Sequence, residues 1–452
     1  MSDLTKGNEG KLIFYFTLPM LIGNVFQQLY NTVDSIIVGR TLGKEALGAV
    51  GVSFPIIFLL ASLIMGITMG STILIAQYYG AKDMKKLKKT IDTTYIILFV
   101  SSLIVTIVGI VFSGSILRIL GTPQEMIKNA QIYLNITFIG IFGMFGYNSI
   151  SAILRGLGDS KTPLYFLIIS TVINIVLDLV FILVFHWGVA GAAWATIIAQ
   201  ACSFAFGIYY LNKNHDILKF NIKTMKFDKE IFKKSLKIGL PSGVQQMLFS
   251  LGMMGLQGMV NSYGTDTVAA YTAASKIDSF SSMPIMNFGA AISAFVGQNL
   301  GANKPERVKN GYKATLLMST VISLGVTIIV ILFRRPLLAM FNTDPEVIKV
   351  GVRYLVIIPS FYTVISFMFI TSGVIRGAGD TLIPMFISIL TLWFIRLPIA
   401  YILSSKIGSD GLWWGTPVAW TMGAILTFGY FLKGKWKSKA VTVNNLREAT
   451  EM

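Results

Sequence analysis

Apolar residues run through this chain in long stretches separated by short polar ones. A helix needs roughly 20 mainly apolar residues to cross a hydrocarbon core. Twelve stretches meet that length, at about 13–39, 46–79, 91–113, 130–153, 163–186, 189–211, 236–262, 267–299, 312–333, 349–373, 383–404 and 411–432. Lipid offers no partner for a free backbone amide, so each is predicted to be a continuous helix. The second and eighth exceed the length required and are predicted to tilt or bend. Pro55 and Pro284 would supply those bends.

The pattern repeats at an offset near 221. Gln77, Gly80 and Ala81 recur as Gln298, Gly301 and Ala302. Thr122, Glu125, Ile127, Lys128 and Tyr133 recur as Thr343, Glu346, Ile348, Lys349 and Tyr354. Arg155, Gly156, Gly158, Asp159 and Pro163 recur as Arg376, Gly377, Gly379, Asp380 and Pro384, and Pro19 recurs one residue off as Pro241. Six spans per half is an even number, so both halves enter the bilayer from the same side, as a parallel repeat about an axis along the membrane normal. Such repeats hold a solute between their halves, which favours a carrier over a receptor or an enzyme. The predicted fold is an all-α membrane protein of two pseudo-symmetric six-helix lobes. Its parts are an N-lobe at 1–211, a basic linker at 212–235, a C-lobe at 236–435 and a tail at 436–452.

Composition agrees. Hydrophobic residues are 54% and charged residues 13%, about half the ~25% of soluble domains. The net charge of +17 invites a nucleic-acid partner, but the lysines sit in the short segments between spans, where a membrane protein keeps its charge. Lys and Arg divide 27 to 9 between alternate sides, which predicts a multi-pass plasma-membrane protein with both termini cytoplasmic. Eight lysines fall in 213–237, so the linker is expected to lie near anionic lipid. Cys202 stands alone and His186 and His215 are the only histidines, so neither a disulfide, a zinc site nor a Ser-His-Asp triad is expected. The first apolar segment is too long for a cleavable signal and carries Asp34. No enzyme activity and no cofactor are expected, and nothing indicates an oligomer, so a monomer is expected.

The opening FTLPMLIGNVFQQLYNTVDSIIVGRTLGKEALGAVG, the turn LRGLGDSKTP with its copy IRGAGDTLIP, and the pair AQYYGA and VGQNLGA resemble the multidrug and toxic compound extrusion (MATE) family over about residues 10–435. The resemblance implies two lobes around a central cleft, and export of organic, often cationic, compounds against an inward flow of protons or sodium. It assigns cation coupling to Asp34 in the first helix, to Asn174 and Asp178 in the fifth and to Thr196 in the sixth. Pro19 matches the proline where the first helix bends, Gln27 and Tyr30 match polar neighbours of Asp34, and Asn148 matches a fourth-helix asparagine. Some relatives carry acids in the seventh and tenth helices. Here the seventh has Gln245 and Gln246 but no carboxylate, and the tenth has none.

A carboxylate inside a membrane is costly and marks a functional site by default. Asp34, Asp178 and Asp278 lie within spans. At ~1.5 Å per residue, Asp34, Asp178 and Thr196 fall roughly 8–12 Å below the outer surface and can converge, whereas Asn148 is deeper. Asn174 and Asp178 share a helix face, as do Tyr30 and Asp34. Asp178, Asn174 and Thr196 offer the hard oxygens that a sodium ion takes, and the same acids could hold a proton instead. Lys276 and Asp278 either neutralise each other or line the cleft, and Arg396 either lines it or snorkels. A lipid-linked sugar flippase is the alternative reading. It would want a strongly cationic cleft, where only Lys276 and Arg396 are intramembrane bases.

Overall fold

The computed structural model describes residues 3–119, 122–214, 219–221 and 223–440, apart from the side chains of Lys44 and Leu63. Linker residues 215–218 and 222, and the expected tail from 441 onward, lie outside the described residues. Sixteen α-helices account for nearly all the rest: α1 (Glu9–Leu42), α2 (Lys44–Gly80), α3 (Met84–Ile119), α4 (Gln124–Ile139), α5 (Ile141–Gly156), α6 (Lys161–Leu179), α7 (Val189–Asn214), α8 (Lys229–Asn261), α9 (Thr265–Gly301), α10 (Pro305–Leu332), α11 (Arg334–Ala339), α12 (Pro345–Ile357), α13 (Tyr362–Gly377), α14 (Leu382–Ile389), α15 (Leu397–Ile407) and α16 (Asp410–Leu432). No strand occurs among the described residues.

These helices make twelve long rods and the six-residue α11, because α4–α5, α12–α13 and α14–α15 each continue one another. Among the described residues nine spans are long and apolar enough to cross a bilayer, and the α4–α5 pair makes a tenth. The other two rods, α8 and α16, are long enough but less uniformly aliphatic: α8 carries four lysines and Gln245 and Gln246, and α16 contains glycine, proline and tryptophan.

The fourth span departs from the continuous helix predicted over 130–153. It turns by 50° between Ile139 and Ile141. A β-carbon on Gly140 would stand 2.2 Å from the Ile197 β-carbon of α7, so the chain turns at the one residue that admits that approach. By contrast, α2 and α9 run through Pro55 and Pro284 without a break in the helix.

The duplication is written in the backbone. Positive φ angles occur at Gly43 and Gly264, at Lys82 and Asn303, and at Gly158 and Gly379, each pair 221 apart. After Gly158, Asp159 caps the next helix, accepting from the Lys161 and Thr162 amides at 3.0 Å each. Its copy Asp380 accepts from the Tyr430 hydroxyl instead. Neither aspartate forms an ion pair with the arginine four residues before it, among the described residues.

Two compact units emerge among the described residues: Leu18–Gly243, and Asp3–Thr17 together with residues 244–440. Their limits differ from the expected halves, because the start of each half's first helix packs with helix ends of the other half. In the first unit, Asp228 caps α8 through the Glu230 and Ile231 amides, and its other oxygen meets Lys89 at 2.9 Å. Hydrogen bonding to Lys89, above all, holds the Asp228 carboxyl below the usual carboxylate range. The beginning of α8 then packs on α2 through glycines: a β-carbon on Gly66 would lie 2.4 Å from the Gly243 nitrogen. Lipid tails give apolar helices no reason to associate, so such close backbone contact is what binds them. In the second unit, Leu4 is buried, its amide donating to Gln298 at 3.1 Å, and Arg307 pairs with Glu9 at 3.1 Å.

Candidate functional site

The first unit gathers its intramembrane polar groups on α1, α6 and α7. Asp34 is 8% exposed, Asp178 0% and Asn174 1%, so this chemistry is sealed from bulk solvent. The Asp34 and Asp178 side chains meet within hydrogen-bonding reach. One oxygen of each, Oδ1, is buried without a partner. The Tyr30 hydroxyl donates to Thr196 Oγ1 at 3.2 Å, joining α1 to α7.

Asn174 bridges the acids to α7. With its amide turned one way, Nδ2 donates to Thr196 Oγ1 at 3.4 Å. Turned over, the nitrogen donates to Asp178 Oδ2 at 3.0 Å and the oxygen accepts from the Thr196 amide at 3.3 Å. The second orientation satisfies both ends and keeps the nitrogen facing a carboxylate, so it is the one the surroundings select. Directly after Asp178 the helix widens into a π-turn, Val180–Val184, a feature frequent at functional sites.

The structure thus brings Tyr30, Asp34, Asn174, Asp178 and Thr196 together. Gln27 sits one turn before Tyr30, half-buried, with no hydrogen bond to the acids among the described residues. Asn148 stays apart, its amide donating back to Met144 O at 2.8 Å on its own helix. Pro19 lies inside the continuous α1, two residues past the point where the helix changes compact unit. Sequence reasoning missed Tyr133, a buried α4 residue whose hydroxyl is within electrostatic reach of Asp34, Tyr30 and Asp178. Its signal was present in the repeat, where Tyr133 and Tyr354 stand as copies.

The second unit contains a different cluster. Lys276 is exposed and makes no ion pair with Asp278 among the described residues, so the two do not neutralise each other directly. Residues two apart on a helix face different ways. Asp278 instead accepts from the Tyr362 hydroxyl at 2.7 Å and the Tyr354 hydroxyl at 3.5 Å. Tyr271 stacks on Trp413 with centroids 5.6 Å apart and Tyr354 edges onto the same indole, walling the cluster with aromatic rings. Arg396, at the end of a second π-segment (Leu390–Arg396), lies within electrostatic reach of Asp278.

A twelve-rod helical chain, duplicated in sequence and backbone, with sealed intramembrane acids in one half, defines a multi-pass membrane carrier. Comparison with known proteins makes this specific. The MatE family model matches twice, over residues 19–180 and 241–402, and the chain belongs to that family. "Probable multidrug resistance protein YpnP" of Bacillus subtilis is 36% identical over 96% of this chain and 98% of its own length. "Probable multidrug resistance protein NorM" of Thermotoga maritima is 27% identical over 95% and 94%. A solved outward-facing multidrug resistance MATE family transporter of the MOP superfamily superposes with a TM-score of 0.90 at 26% identity, covering 96% of this chain and 98% of that one.

Proposed function

We propose that this protein exports organic, often cationic, compounds in exchange for protons or sodium ions, by alternating access between its two lobes. It works in the plasma membrane with both termini in the cytoplasm. The observation that carries this reading is the Asp34–Asp178 pair, two buried carboxyl groups in contact, each with an unpartnered oxygen. Such a pair away from water calls for a positive charge between its members. A proton on either acid meets that demand. A sodium ion meets it too, with the Asn174 carbonyl and the Thr196 hydroxyl as further oxygen donors. The relatives' names supply the cargo class, multidrug resistance.

In the mechanism this supports, the cation enters from outside and neutralises the acids. The first helix then relaxes about Pro19, and the grip on a cationic drug weakens. The drug leaves outward, the lobes reverse, and the cation is released inside. Ethidium efflux from proteoliposomes under separately imposed proton and sodium gradients tests it. Efflux driven by one of them names the ion, and an active, folded preparation that moves ethidium under neither would refute the proposal.

A further inference from the structure

The two halves share a backbone but carry different chemistry at corresponding places. Tyr133 and its copy Tyr354 each neighbour the acids of their own unit. In the first unit the neighbours are two carboxyl groups. In the second they are one carboxylate, Asp278, and one guanidinium, Arg396, which stands three residues before the position that copies Asp178. Both π-segments occur in the fifth rod of their half, one starting after Asp178 and the other ending at Arg396.

Arg396 is under-satisfied. A guanidinium offers five donors. Its Nη1 donates to Met253 Sδ at 3.4 Å, a weak acceptor, and its Nε is buried without any partner. No ion pair joins it to a carboxylate among the described residues. Asp278 attracts it but does not saturate it: the Asp278 oxygens accept from Tyr362 and Tyr354, and neither is hydrogen-bonded to the guanidinium among the described residues. The side chain as a whole is half-buried, so its donor fork is not sealed off as the Asp178 carboxyl is.

We infer that Arg396 is an anion-recognition point in the C-lobe, binding a carboxylate on an amphiphilic, aromatic solute. Asp278 acts as a positioning residue, holding the guanidinium in place while the tyrosines keep the acid from closing on it. Met253, half-buried and touching the guanidinium, supplies polarisable surface beside the charge. The cargo then includes zwitterions as well as simple cations. This rests on the exporter reading for its cargo but on separate residues for its site.

The test is a matched pair of dyes: rhodamine B, with a free benzoate, and its methyl ester, which lacks that charge. Binding to the full chain in lipid nanodiscs is followed by fluorescence anisotropy. A charge-assisted hydrogen bond predicts that the wild type binds the acid roughly tenfold more tightly than the ester. Arg396→Gln should erase that preference, and Arg396→Lys should restore part of it, which a merely structural arginine would not do. Equal affinity of the wild type for acid and ester overturns the inference, as does an unchanged preference in Arg396→Gln. Gradient-driven ethidium efflux is read on the same preparation. Its absence alongside an intact acid preference counts against the exporter reading alone, and its presence without that preference counts against the anion site alone.

Discussion

Replacing Asp178 with Asn removes one negative charge from a site that holds two and keeps the shape of the side chain. Carboxyl groups in contact put their charges about 4 Å apart, where an effective dielectric near 20 gives a repulsion of about 4 kcal/mol. That is roughly three powers of ten in an equilibrium constant, enough for a coupling cation to carry a two-state carrier most of the way from one state to the other. In Asp178→Asn the repulsion is gone whether or not a cation is present, so the cation loses its leverage. Two results follow. Gradient-driven ethidium efflux in proteoliposomes should fall to the level of empty vesicles, with facilitated downhill movement remaining. Thermal stability in detergent should rise relative to wild type and should no longer respond to the coupling ion, titrated at constant ionic strength. An Asp178→Asn protein that keeps both gradient-driven efflux and its ion dependence would refute the reasoning, because the pair would then be an ordinary hydrogen-bonding contact.

Thr196→Val removes the hydroxyl that receives Tyr30 at 3.2 Å and should weaken the α1–α7 link by about 1 kcal/mol, seen as a lower melting temperature and a right-shifted ion dependence of efflux. Asn148→Ala, by comparison, should leave that ion dependence where it is, because Asn148 bonds only within its own helix. Gly140→Ala places a β-carbon against the Ile197 β-carbon and should cost about 1–3 kcal/mol in an unfolding titration, with the loss partly recovered by Ile197→Gly in the same chain. The Asp228 carboxyl is held below its usual range by Lys89, so the anchoring of the α8 start is fully present above about pH 4 and is lost as pH falls through the lowered value. Hydrogen exchange at the Glu230 and Ile231 amides should therefore be flat from pH 8 to 5 once corrected for intrinsic rates, and faster throughout in Asp228→Ala.

Length and periodicity make the twelve rods legible, because a bilayer leaves a segment of ~20 apolar residues few alternatives to helix. The convergence of Asp34, Asp178 and Thr196 was legible for the same reason: helical rise fixes depth, and similar depth in one half permits contact. The break at Gly140 was not legible. It depends on the side chain of Ile197, some 57 residues away, reaching the one position without a β-carbon. Nor was the exchange of helix starts, in which Leu4 and Asp228 bond to the other half of the sequence, since capping and ion-pair partners far apart in sequence leave no periodic trace. Tyr362 was similarly hidden, whereas Tyr354 showed only as the repeat copy of Tyr133. An intramembrane tyrosine reads as apolar filling until its hydroxyl is seen to reach an acid, here Asp278.

The asymmetry between the halves bears on how a duplicated carrier can be driven. Equal acid pairs in both units would each demand a cation, and the two demands would have to be met together to neutralise the protein before it could turn. Here the first unit concentrates the demand on Asp34 and Asp178, while Asp278 has two tyrosine donors and a nearby guanidinium. A fixed internal positive charge does for Asp278 what an arriving cation does for the acid pair, so the second unit need not exchange an ion in each cycle. On this argument Arg396→Gln should do more than alter dye preference: it should leave Asp278 without its fixed counter-charge and create a second ion demand. The Hill coefficient of efflux against the coupling ion should then rise above its wild-type value, and Arg396→Gln/Asp278→Asn should bring it back. An unchanged coefficient in the single variant would mean that the tyrosine hydroxyls alone compensate the carboxylate.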